Sequence, residues 1–285
     1  MAWMWRKKLR SCSHASGVGQ SSAVPRAYCN IAPPFPRPAC GRLTDSASCC
    51  RLAGVSRLVI VIPAYNEARV IGETLARLPH AIEGVSIRVV VIDDGSSDGT
   101  SEVVRASGDD RIILLRHAIN RGLGGALGTG LAYARKIGAD FVITFDADGQ
   151  HAPEDIAVVL GPLQSGQADA VIGSRLLSPE GMPSHRIVGN WGLNLFTYLL
   201  FGIWTTDSQS GLRGFSRKAI DSIELRMDRM EVSSEFIKEI RRTRLRFLEV
   251  PIRAIYSKYS LAKGQKSRNG INIVLRLLLY RLLED

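Results

Sequence analysis

Apolar runs of strand length alternate along this chain with segments of helical periodicity. Five runs are continuous and rich in Val and Ile, as expected of strands buried on both faces: "RLVIVIP", "IRVVVID", "RIILLRH", "DFVITF" and "ADAVIG". Between the first two, Ile71, Leu75 and Leu78 have the spacing of a helix that Pro79 would end. Further helices are predicted from about Thr100 and over "GLGGALGTGLAYARKIG" and "PEDIAVVLGPLQ". The alternation predicts an α/β fold, with a mostly parallel, Rossmann-like sheet and helices on both faces.

Three of the predicted strands end in clusters of polar residues. These clusters are Tyr65-Asn66-Glu67, Asp93-Asp94-Gly95-Ser96 and Asp146-Ala147-Asp148-Gly149-Gln150. Ligands of open α/β sheets bind outside the carboxyl ends of the strands. The sequence therefore predicts that the three clusters meet along one edge of the sheet and form the functional site.

The segment "DADGQ" has the residue types of a divalent-cation site. Residues two apart on an extended chain face the same side, so Asp146, Asp148 and Gln150 would point together. Carboxylate and amide oxygens suit Mg²⁺ or Mn²⁺, which keep waters or substrate phosphates as their other ligands. A chance pair of aspartates is the alternative, and the position at the end of a buried strand favours the metal.

The other two clusters have the chemistry to bind a nucleoside. The carboxylates of Asp93 and Asp94 would accept hydrogen bonds from ribose hydroxyls or a base N–H. Tyr65 offers a ring for stacking on a base, and Glu67 an acceptor for ribose. The alternative for "DGSSDGT" is a turn and a helix cap at Ser97 or Asp98.

The glycine-rich segment "NRGLGGALGTG" has two interpretations. Its backbone N–H groups, at the start of a helix, would be available to an anion. The glycines would equally allow close packing against a neighbouring segment. The segment is not a P-loop, because the G-K-[ST] ending is missing.

The net charge of +10 is concentrated near the amino terminus. Residues 1–57 contain nine Lys/Arg and one acid, whereas the rest is close to neutral. This distribution argues against a nucleic-acid-binding protein. We expect residues 1–57 to be a disordered basic leader, with the composition of a transit peptide or of an extension without function, and residues 58–285 to be the folded domain. All five cysteines lie in the leader, which favours a reducing, cytoplasmic setting.

Two apolar segments are too short or too interrupted to span a bilayer. They are "WGLNLFTYLLFGIW" (191–204) and the terminal "INIVLRLLLYRLL". With their Trp and Tyr residues they would suit interfacial helices at the cytoplasmic face of a membrane. The alternative is that both pack against the domain or a second subunit.

Taken in order, six motifs resemble those of the family 2 glycosyltransferases, which have the GT-A fold. The motifs are "VIPAYNE", "VVVIDDGSSDGT", "NRGLGGAL", "FDADGQH", "VIGSR" and "DSQSGLRGFSR". Within the family the chain is most similar to dolichyl-phosphate mannose synthases and bacterial polyprenyl-phosphate glycosyltransferases, over about Leu58–Tyr256. The resemblance implies a nucleoside-diphosphate hexose donor, either GDP- or UDP-linked, a divalent cation, inversion at the anomeric carbon and often a lipid phosphate acceptor.

The resemblance also implies roles for individual residues. Pro63, Tyr65, Glu67 and Asp94 would contact the nucleoside, with Asp93 nearby, and Asp146, Asp148 and Gln150 would hold the metal and the diphosphate. Arg175 in "GSR" and Arg186 in "HRIVGN" would face the acceptor phosphate. Two departures bear on the acceptor and the sugar. Asn190 replaces a small hydroxyl residue, and "YSKYSLAKGQKSRNG" differs from the corresponding segment of the mannose synthases.

That carboxyl-terminal segment is basic. Its cations, Lys258, Lys263, Lys266 and Arg268, would belong to a solvated loop or would fold over the diphosphate and neutralise it, with Lys263 and Lys266 as the candidate donor-binding residues. Asp207 and Arg213 would form a supporting ion pair or contact the substrate directly. His151 and His185 are assigned no catalytic role.

The nature of the acceptor decides whether the reaction needs a base. A phosphate monoester is already ionised near neutral pH, and two arginines suffice to hold it in line. A sugar or small-molecule hydroxyl needs a carboxylate base, for which Asp148 and Asp207 are the candidates. A nucleotidyltransferase is disfavoured, because "PAYNEAR" lacks the glycine-rich loop with an early cation that such enzymes have.

Overall fold

The apolar runs form the centre of a seven-stranded sheet. The computed structural model describes residues 55–179 and 182–255. Their strands are β1 (Ser56–Ala64), β2 (Val85–Asp93), β3 (Ile112–Arg116), β4 (Phe141–Thr144), β5 (Ala170–Ser174), β6 (Arg213–Ser216) and β7 (Phe247–Pro251). The order across the sheet is β3-β2-β1-β4-β6-β5-β7. The five predicted strands are β1 to β5, and they are confirmed.

Strands β6 and β7 were not predicted as strands. β6 lies antiparallel between β4 and β5, whereas the other pairings are parallel. Its sequence, "RGFS", contains no apolar run. Arg213 is nevertheless buried, with its guanidinium 5.0 Å from the ring centre of Phe236. The sheet is therefore mostly parallel, as predicted, with one reversed strand.

Helices cover both faces of the sheet. They are α1 (Ile71–Arg77), α2 (Thr100–Ala106), α3 (Leu123–Ile137), α4 (Asp155–Gln164), α5 (Ser184–Phe201), α6 (Arg217–Ser222) and α7 (Val232–Arg242). Helices α1, α2 and α4 pack in one apolar core, and α3, α6 and α7 in the other. Side chains of β1 enter the two cores alternately, which explains why its apolar run is uninterrupted.

The fold begins two residues before the predicted boundary at position 58. β1 starts at Ser56, and Arg57 is buried. The Arg57 guanidinium donates to the carbonyl of Ile137 at 2.8 Å and lies 3.6 Å from the Asp140 carboxylate. The rest of the predicted leader, residues 256–285 with their predicted terminal interfacial helix, and the basic cluster with Lys263 and Lys266 lie outside the described residues.

Helix α5 contains most of the first apolar segment. Phe201 packs with Leu193, Phe196 and Leu200 of the same helix and with Met227 and Met230. Within residues 55–179 and 182–255, no helix has the length and apolarity to cross a bilayer.

Candidate functional site

The three polar clusters lie at one edge of the sheet, which confirms the predicted convergence. β1 is hydrogen-bonded to β2 on one side and to β4 on the other. Asp94 N–H donates to the carbonyl of Ala64 at 2.9 Å, and Phe145 N–H to that of Val61 at 2.9 Å. Tyr65, Asp94 and Asp146 therefore leave three neighbouring strands at the same level.

The loop after β1 is tied to the loop after β2. Asn66 has a positive φ of 55°, its N–H donates to Ser96 Oγ at 2.9 Å, and its Oδ1 accepts from Ser97 N–H at 3.0 Å. Asp98 accepts from Ala68 N–H at 3.0 Å and from the N–H of Thr100, the first residue of α2, at 3.1 Å. The N-cap of α2 is Gly99 rather than the predicted Ser97 or Asp98, and Asp98 instead ties the loop after β1 to the start of the helix.

These ties determine which side chains face outward. Tyr65, at the tip of the loop, is 47% exposed, and Pro63 is half-buried. Glu67 is buried, and its N–H donates to Thr100 Oγ1 at 2.9 Å. The exposed ring is accessible for stacking on a planar group.

The aspartate pair after β2 is hydrogen-bonded within the protein. Asp93 is fully buried and accepts from the N–H of Ser96 at 2.8 Å and from the hydroxyl of Ser101. Its burial opposes ionisation, but these hydrogen bonds and Arg116 outweigh it and lower the pKa of Asp93. Asp93 was predicted to lie near the nucleoside. The structure buries its side chain beneath α2, where it accepts a hydrogen bond from Ser101 of that helix.

Asp94 organises the start of α3. It accepts hydrogen bonds from the N–H groups of Arg121 at 2.9 Å and Gly122 at 2.7 Å. The N–H groups of Gly124 and Gly125 donate to the carbonyl of Asp228 at 2.7 and 3.1 Å. A Cβ on Gly124 would lie 1.8 Å from the Met227 carbonyl oxygen. The glycine-rich segment therefore packs closely against Met227 and Asp228, and these four N–H groups bind protein acceptors.

The pair after β4 has few protein partners. Asp146 accepts from His151 Nε2 at 3.1 Å, and its side chain is 37% exposed. Asp148 accepts from the N–H of Gln150 at 3.0 Å and from the side-chain amide of that residue. Burial, followed by the neighbouring charge of Asp146, raises the pKa of Asp148. Burial also opposes ionisation of Asp146, but the hydrogen bond from His151 and the charges of Arg213 and Arg175 keep its pKa below the ordinary value.

The loop that contains Gly211 packs tightly against Asp146. A Cβ on Gly211 would lie 1.9 Å from Asp146 Oδ2, and Thr144 Oγ1 donates to the carbonyl of Gly211 at 2.6 Å. Within the described part of the chain, His151 Nδ1, Ser210 Oγ and Arg213 Nε are buried polar atoms without a hydrogen-bond partner. Burial lowers the pKa of Arg213 to about 10, against the opposing effects of Asp146 and Asp207.

Arg175 and Asp207 form a bidentate ion pair at the end of β5. Arg175 Nε and Nη2 lie 2.7 and 2.9 Å from the two oxygens of Asp207, and its N–H donates to the same carboxylate at 3.1 Å. Asp207 is fully buried. Of the two predicted alternatives for Asp207, the ion pair exists, but its hydrogen-bonded partner is Arg175 rather than Arg213.

Helix α5 is attached to the loop that contains Asp207. Asn194 Oδ1 accepts from the N–H and the hydroxyl of Ser208 at 2.9 and 2.8 Å, and its amide group donates to the carbonyl of Thr206. Arg186 lies in the first turn of α5, where its N–H donates to the carbonyl of Pro183 at 2.9 Å. No described contact joins Arg186 to Arg175.

The chain that follows β7 lies beside the metal-type cluster, which consists of Asp146, Asp148 and Gln150. Ile255 N–H donates to the carbonyl of Gln150 at 2.8 Å, and Ala254 forms a bridge with His151. Arg253 is exposed, and its N–H donates to Asp155 at 2.9 Å. Arg253 was not predicted as part of the site, since nothing near it in sequence sets it apart from an ordinary surface residue. Arg213 was predicted to pair with Asp207 or to contact the substrate, and His151 was assigned no catalytic role. The burial of these two residues was not predicted.

Comparison with known families decides the class of the protein. Residues 59–223 match the model of glycosyl transferase family 2. The chain belongs to this glycosyltransferase family. Its sheet and its two helical layers are those of the GT-A fold.

Two relatives of this glycosyltransferase match most of their own length. An uncharacterized protein of Methanocaldococcus jannaschii is 45% identical over 230 residues, which cover 79% of this chain and 92% of that protein. The UDP-N-acetylglucosamine–dolichyl-phosphate N-acetylglucosaminyltransferase of Methanococcus voltae is 38% identical over 245 residues, covering 79% and 96%.

A solved structure shares the fold of this glycosyltransferase. Glucosyl-3-phosphoglycerate synthase from Mycobacterium tuberculosis, crystallised with Mn²⁺, UDP and phosphoglyceric acid, superposes with a TM-score of 0.57. Sequence identity is 21%, and 81% of each chain is covered. This likeness supports the fold.

An exposed apolar surface lies on α5 and the residues that follow it. We call it the α5 face, and it consists of Val188, Trp191, Leu195, Tyr198, Leu199 and Trp204, all of which are 42–72% exposed. The ring of Trp204 lies 5.4 Å from that of Trp191 and 5.7 Å from that of Tyr198. Patches of clustered aromatic and aliphatic side chains mark interaction surfaces.

Proposed function

We propose that this glycosyltransferase moves a hexosyl group from a nucleoside-diphosphate sugar to a polyprenyl phosphate, with inversion and with the help of Mg²⁺ or Mn²⁺. The activity is assigned to residues 58–285, and the leader is dispensable. The observation that carries the proposal is the meeting of three loop tips, at Tyr65, Asp94 and Asp148, at one edge of the sheet. One of these tips has two adjacent carboxylates with few protein donors.

The residues at this tip fit a divalent cation. Burial and the charge of Asp146 both oppose ionisation of Asp148 and raise its pKa, and a dication would offset both effects. No group of three His, Cys, Asp or Glu suited to a metal occurs in residues 55–179 and 182–255. Two carboxylates and the Gln150 amide oxygen are nevertheless an ordinary set for Mg²⁺ or Mn²⁺, which takes its remaining ligands from water and phosphate. The bound cation would act as a Lewis acid on the leaving diphosphate.

The donor nucleoside would lie against the first two loops. In this arrangement Tyr65 stacks on the base, Pro63 and Glu67 line the nucleoside, and Asp94 presents its remaining acceptor capacity to a base N–H or a ribose hydroxyl. The Methanococcus voltae relative is named for a UDP-linked donor, which favours UDP over GDP.

The acceptor phosphate would lie between Arg175 and Arg186. Asp207 holds the Arg175 guanidinium in a fixed orientation, which suits an arginine that positions a phosphate for in-line attack. Asp207 is fully buried against Arg175, so this geometry argues against its acting as the base that a hydroxyl acceptor would require. A phosphate acceptor needs no such base.

A second acceptor class is favoured by one observation. The raised pKa of Asp148 makes its carboxylate a better proton acceptor than an ordinary aspartate. With no cation bound between the two carboxylates, Asp148 would be able to take a proton from the hydroxyl of a glycan or small molecule. Turnover with such acceptors, and none with polyprenyl phosphate, would select this alternative.

The basic segment with Lys263 and Lys266 would close over the diphosphate. The described chain ends at Ile255, whose N–H is bound to the carbonyl of Gln150. Consecutive extended residues span at most about 3.5 Å each. Lys263 and Lys266 are therefore well within reach of the metal-type cluster, where they would stabilise the charge that grows on the leaving group.

The α5 face would bind the cytoplasmic surface of a membrane. Trp and Tyr favour the headgroup level, and α5 contains no acidic residue that an anionic surface would repel. A lipid-linked acceptor would then reach Arg175 from the bilayer. Brominated lipids in anionic vesicles should quench the fluorescence of Trp191 and Trp204, and a Trp191→Ser/Trp204→Ser variant should float poorly with vesicles. Equal flotation of the wild type and this variant would overturn the membrane contact.

A donor and acceptor panel tests the function. Purified full-length protein with Mn²⁺ is incubated with UDP- and GDP-hexoses and a short polyprenyl phosphate, and transfer is followed by mass spectrometry. We expect one nucleotide sugar to yield a glycosyl polyprenyl phosphate and EDTA to stop the reaction. Transfer that persists in EDTA would contradict the cation, and absence of any transfer to the lipid would contradict the acceptor.

A further inference from the structure

The orientation of Asp94 depends on a histidine that the reaction itself does not use. His117 follows β3 directly, and its N–H donates to the carbonyl of Asp93 at 2.8 Å. Its Nδ1 lies 2.7 Å from Asp94 Oδ1, and its Nε2 lies 2.9 Å from Thr129 Oγ1 in α3. The His117 side chain is 11% exposed and that of Asp94 4% exposed. The imidazole thus forms a bridge between the end of β2 and the middle of α3.

The hydrogen on the Asp94 side of this bridge can be assigned from its partner. A carboxylate oxygen 2.7 Å from Nδ1 can only accept, because two acceptors at that distance would repel each other. Nδ1–H therefore donates to Asp94 Oδ1. Thr129 Oγ1 lies 2.9 Å from Nε2 and 3.0 Å from the carbonyl of Gly125, so it anchors the other side of the ring to α3.

The bridge leaves Asp94 one oxygen for a ligand. Oδ1 accepts from both His117 and Arg121 N–H, whereas Oδ2 accepts only from Gly122 N–H among the described contacts. A carboxylate oxygen accepts up to two hydrogen bonds. Oδ2 therefore retains the capacity to accept one further hydrogen bond.

We propose that His117 is a positioning residue for donor binding, which holds Asp94 so that its Oδ2 is presented to an N–H or O–H group of the nucleoside. The proposal rests on the proposed placement of the donor at Asp94. It adds a residue that no motif identified, and it predicts that the effect of His117 is confined to the nucleoside part of the substrate.

Substitutions at His117 separate its two hydrogen bonds. His117→Leu removes both, and loss of a hydrogen bond to a charged group should weaken binding of UDP or GDP on the order of tenfold. His117→Asn keeps an N–H near the position of Nδ1 and should remain within about threefold of the wild type. Because the interaction serves binding throughout the reaction, KM for the donor should rise while kcat and the acceptor KM stay unchanged.

Calorimetry with full-length protein, Mn²⁺ and UDP or GDP provides the measurement. Melting temperatures are recorded beside it, and His80→Leu, at an exposed histidine beyond the end of α1, serves as the matched control. Asp94→Asn reports on the donor site itself. If the wild type binds neither nucleotide, or if Asp94→Asn binds as the wild type does, both the donor site and the positioning role are wrong. If Asp94→Asn binds weakly but folded His117→Leu binds normally, only the positioning role is overturned.

A spectroscopic readout distinguishes this role from a purely structural one. Long-range proton–nitrogen correlation spectra should show one imidazole whose Nδ1 carries a hydrogen, and this signal should be missing from the His117→Asn variant. An imidazole at position 117 with a bare Nδ1 would overturn the assignment of the bridge.

Discussion

Two pairs of acidic residues lie at the ends of β2 and β4, the strands on either side of β1, and their surroundings are opposite. Asp93 and Asp94 accept hydrogen bonds from backbone N–H groups, a serine hydroxyl and a histidine. Asp146 and Asp148 accept from His151 and from the turn that contains Gln150. The first pair lies within the protein, whereas the second lies beside a like charge at a half-exposed position.

The contrast distinguishes carboxylates that stabilise the fold from carboxylates that are available for the reaction. Where donors surround a carboxylate, the ionised form is already stabilised, and the pKa of Asp93 is lowered as a result. Where burial and a second carboxylate oppose ionisation, the pKa of Asp148 is raised. A site of the second kind is complete only with a cation, so Asp146 and Asp148 should matter for turnover and Asp93 for stability.

The largest expected effect concerns Asp148. In Asp148→Ala, transfer should fall by ~10²–10³-fold or more, the range seen when one preorganised electrostatic group is lost. Stability without metal should not fall, because a repulsion is removed. Turnover is measured beside the shift in melting temperature on adding Mn²⁺, which should occur in the wild type and be absent in the variant. Asp110→Ala, at an exposed acid, is the control, and an active Asp148→Ala enzyme would remove the metal assignment.

A smaller loss is expected at the glycine beneath Asp146. A Cβ on Gly211 would lie 1.9 Å from Asp146 Oδ2, so Gly211→Ala must displace the carboxylate. A misplacement of about 1 Å can cost on the order of 10²-fold in rate. The matched control is Gly128→Ala in α3, where a Cβ meets nothing within 4 Å and should stabilise the helix. Equal activity of the two variants would show that the position of Asp146 is not critical.

Stability, rather than turnover, should respond at Asp93. Asp93→Asn leaves the buried donors around it poorly matched, and the free energy of unfolding should fall by about 2 kcal/mol. Activity per folded molecule should change little. Urea unfolding of wild type and variant, with activity normalised to the folded fraction, measures both. A variant that is stable but inactive would place Asp93 with the second pair.

The acid response of Asp93 has a definite sign. Its folded-state pKa lies below the ordinary value, so its contribution to stability is present above the unfolded pKa of about 4 and is lost as pH falls through the folded one. Wild-type protein should therefore lose stability between about pH 5 and pH 3 more steeply than Asp93→Asn. Parallel curves for the two proteins would contradict this account.

The sequence predicted which edge of the sheet contains the polar clusters, but not which aspartates stabilise the fold and which are available to a ligand. The positions of β1 to β5 and the meeting of the three clusters followed from apolar runs and from the geometry of parallel sheets. Asp93 and Asp148 look alike in sequence, since each follows a buried strand and precedes a glycine-containing turn. Their difference comes from hydrogen-bond partners 3 to 8 residues away for Asp93, and from burial and the neighbouring Asp146 for Asp148.

Long-range partners explain what remained unpredicted. Arg213 of β6 was not recognised as a buried residue, because the ring of Phe236 that covers it belongs to the distant helix α7. The pairing of Asp207 with Arg175 spans 32 residues, and the bridge from Asp94 to His117 spans 23. The antiparallel β6 has no apolar run, since its neighbours rather than its own composition determine that it is a strand.

The smallest predicted effect tests an acid that belongs to neither pair. Asp98 is exposed, but it ties Ala68 in the loop after β1 to Thr100 at the start of α2, at 3.0 and 3.1 Å. Asp98→Ala should cost ~1 kcal/mol of stability, because the hydrogen bonds from Ala68 and Thr100 are lost. It should also raise the donor KM by about threefold at unchanged kcat, because the loop that presents Tyr65 loses one anchor without losing a ligand contact. Ser97→Ala retains its backbone N–H bond to Asn66 and should match the wild type in both respects. If Asp98→Ala lowers kcat as strongly as Asp148→Ala, then an exposed carboxylate with donors acts in the chemistry, and the distinction drawn between the two pairs does not hold.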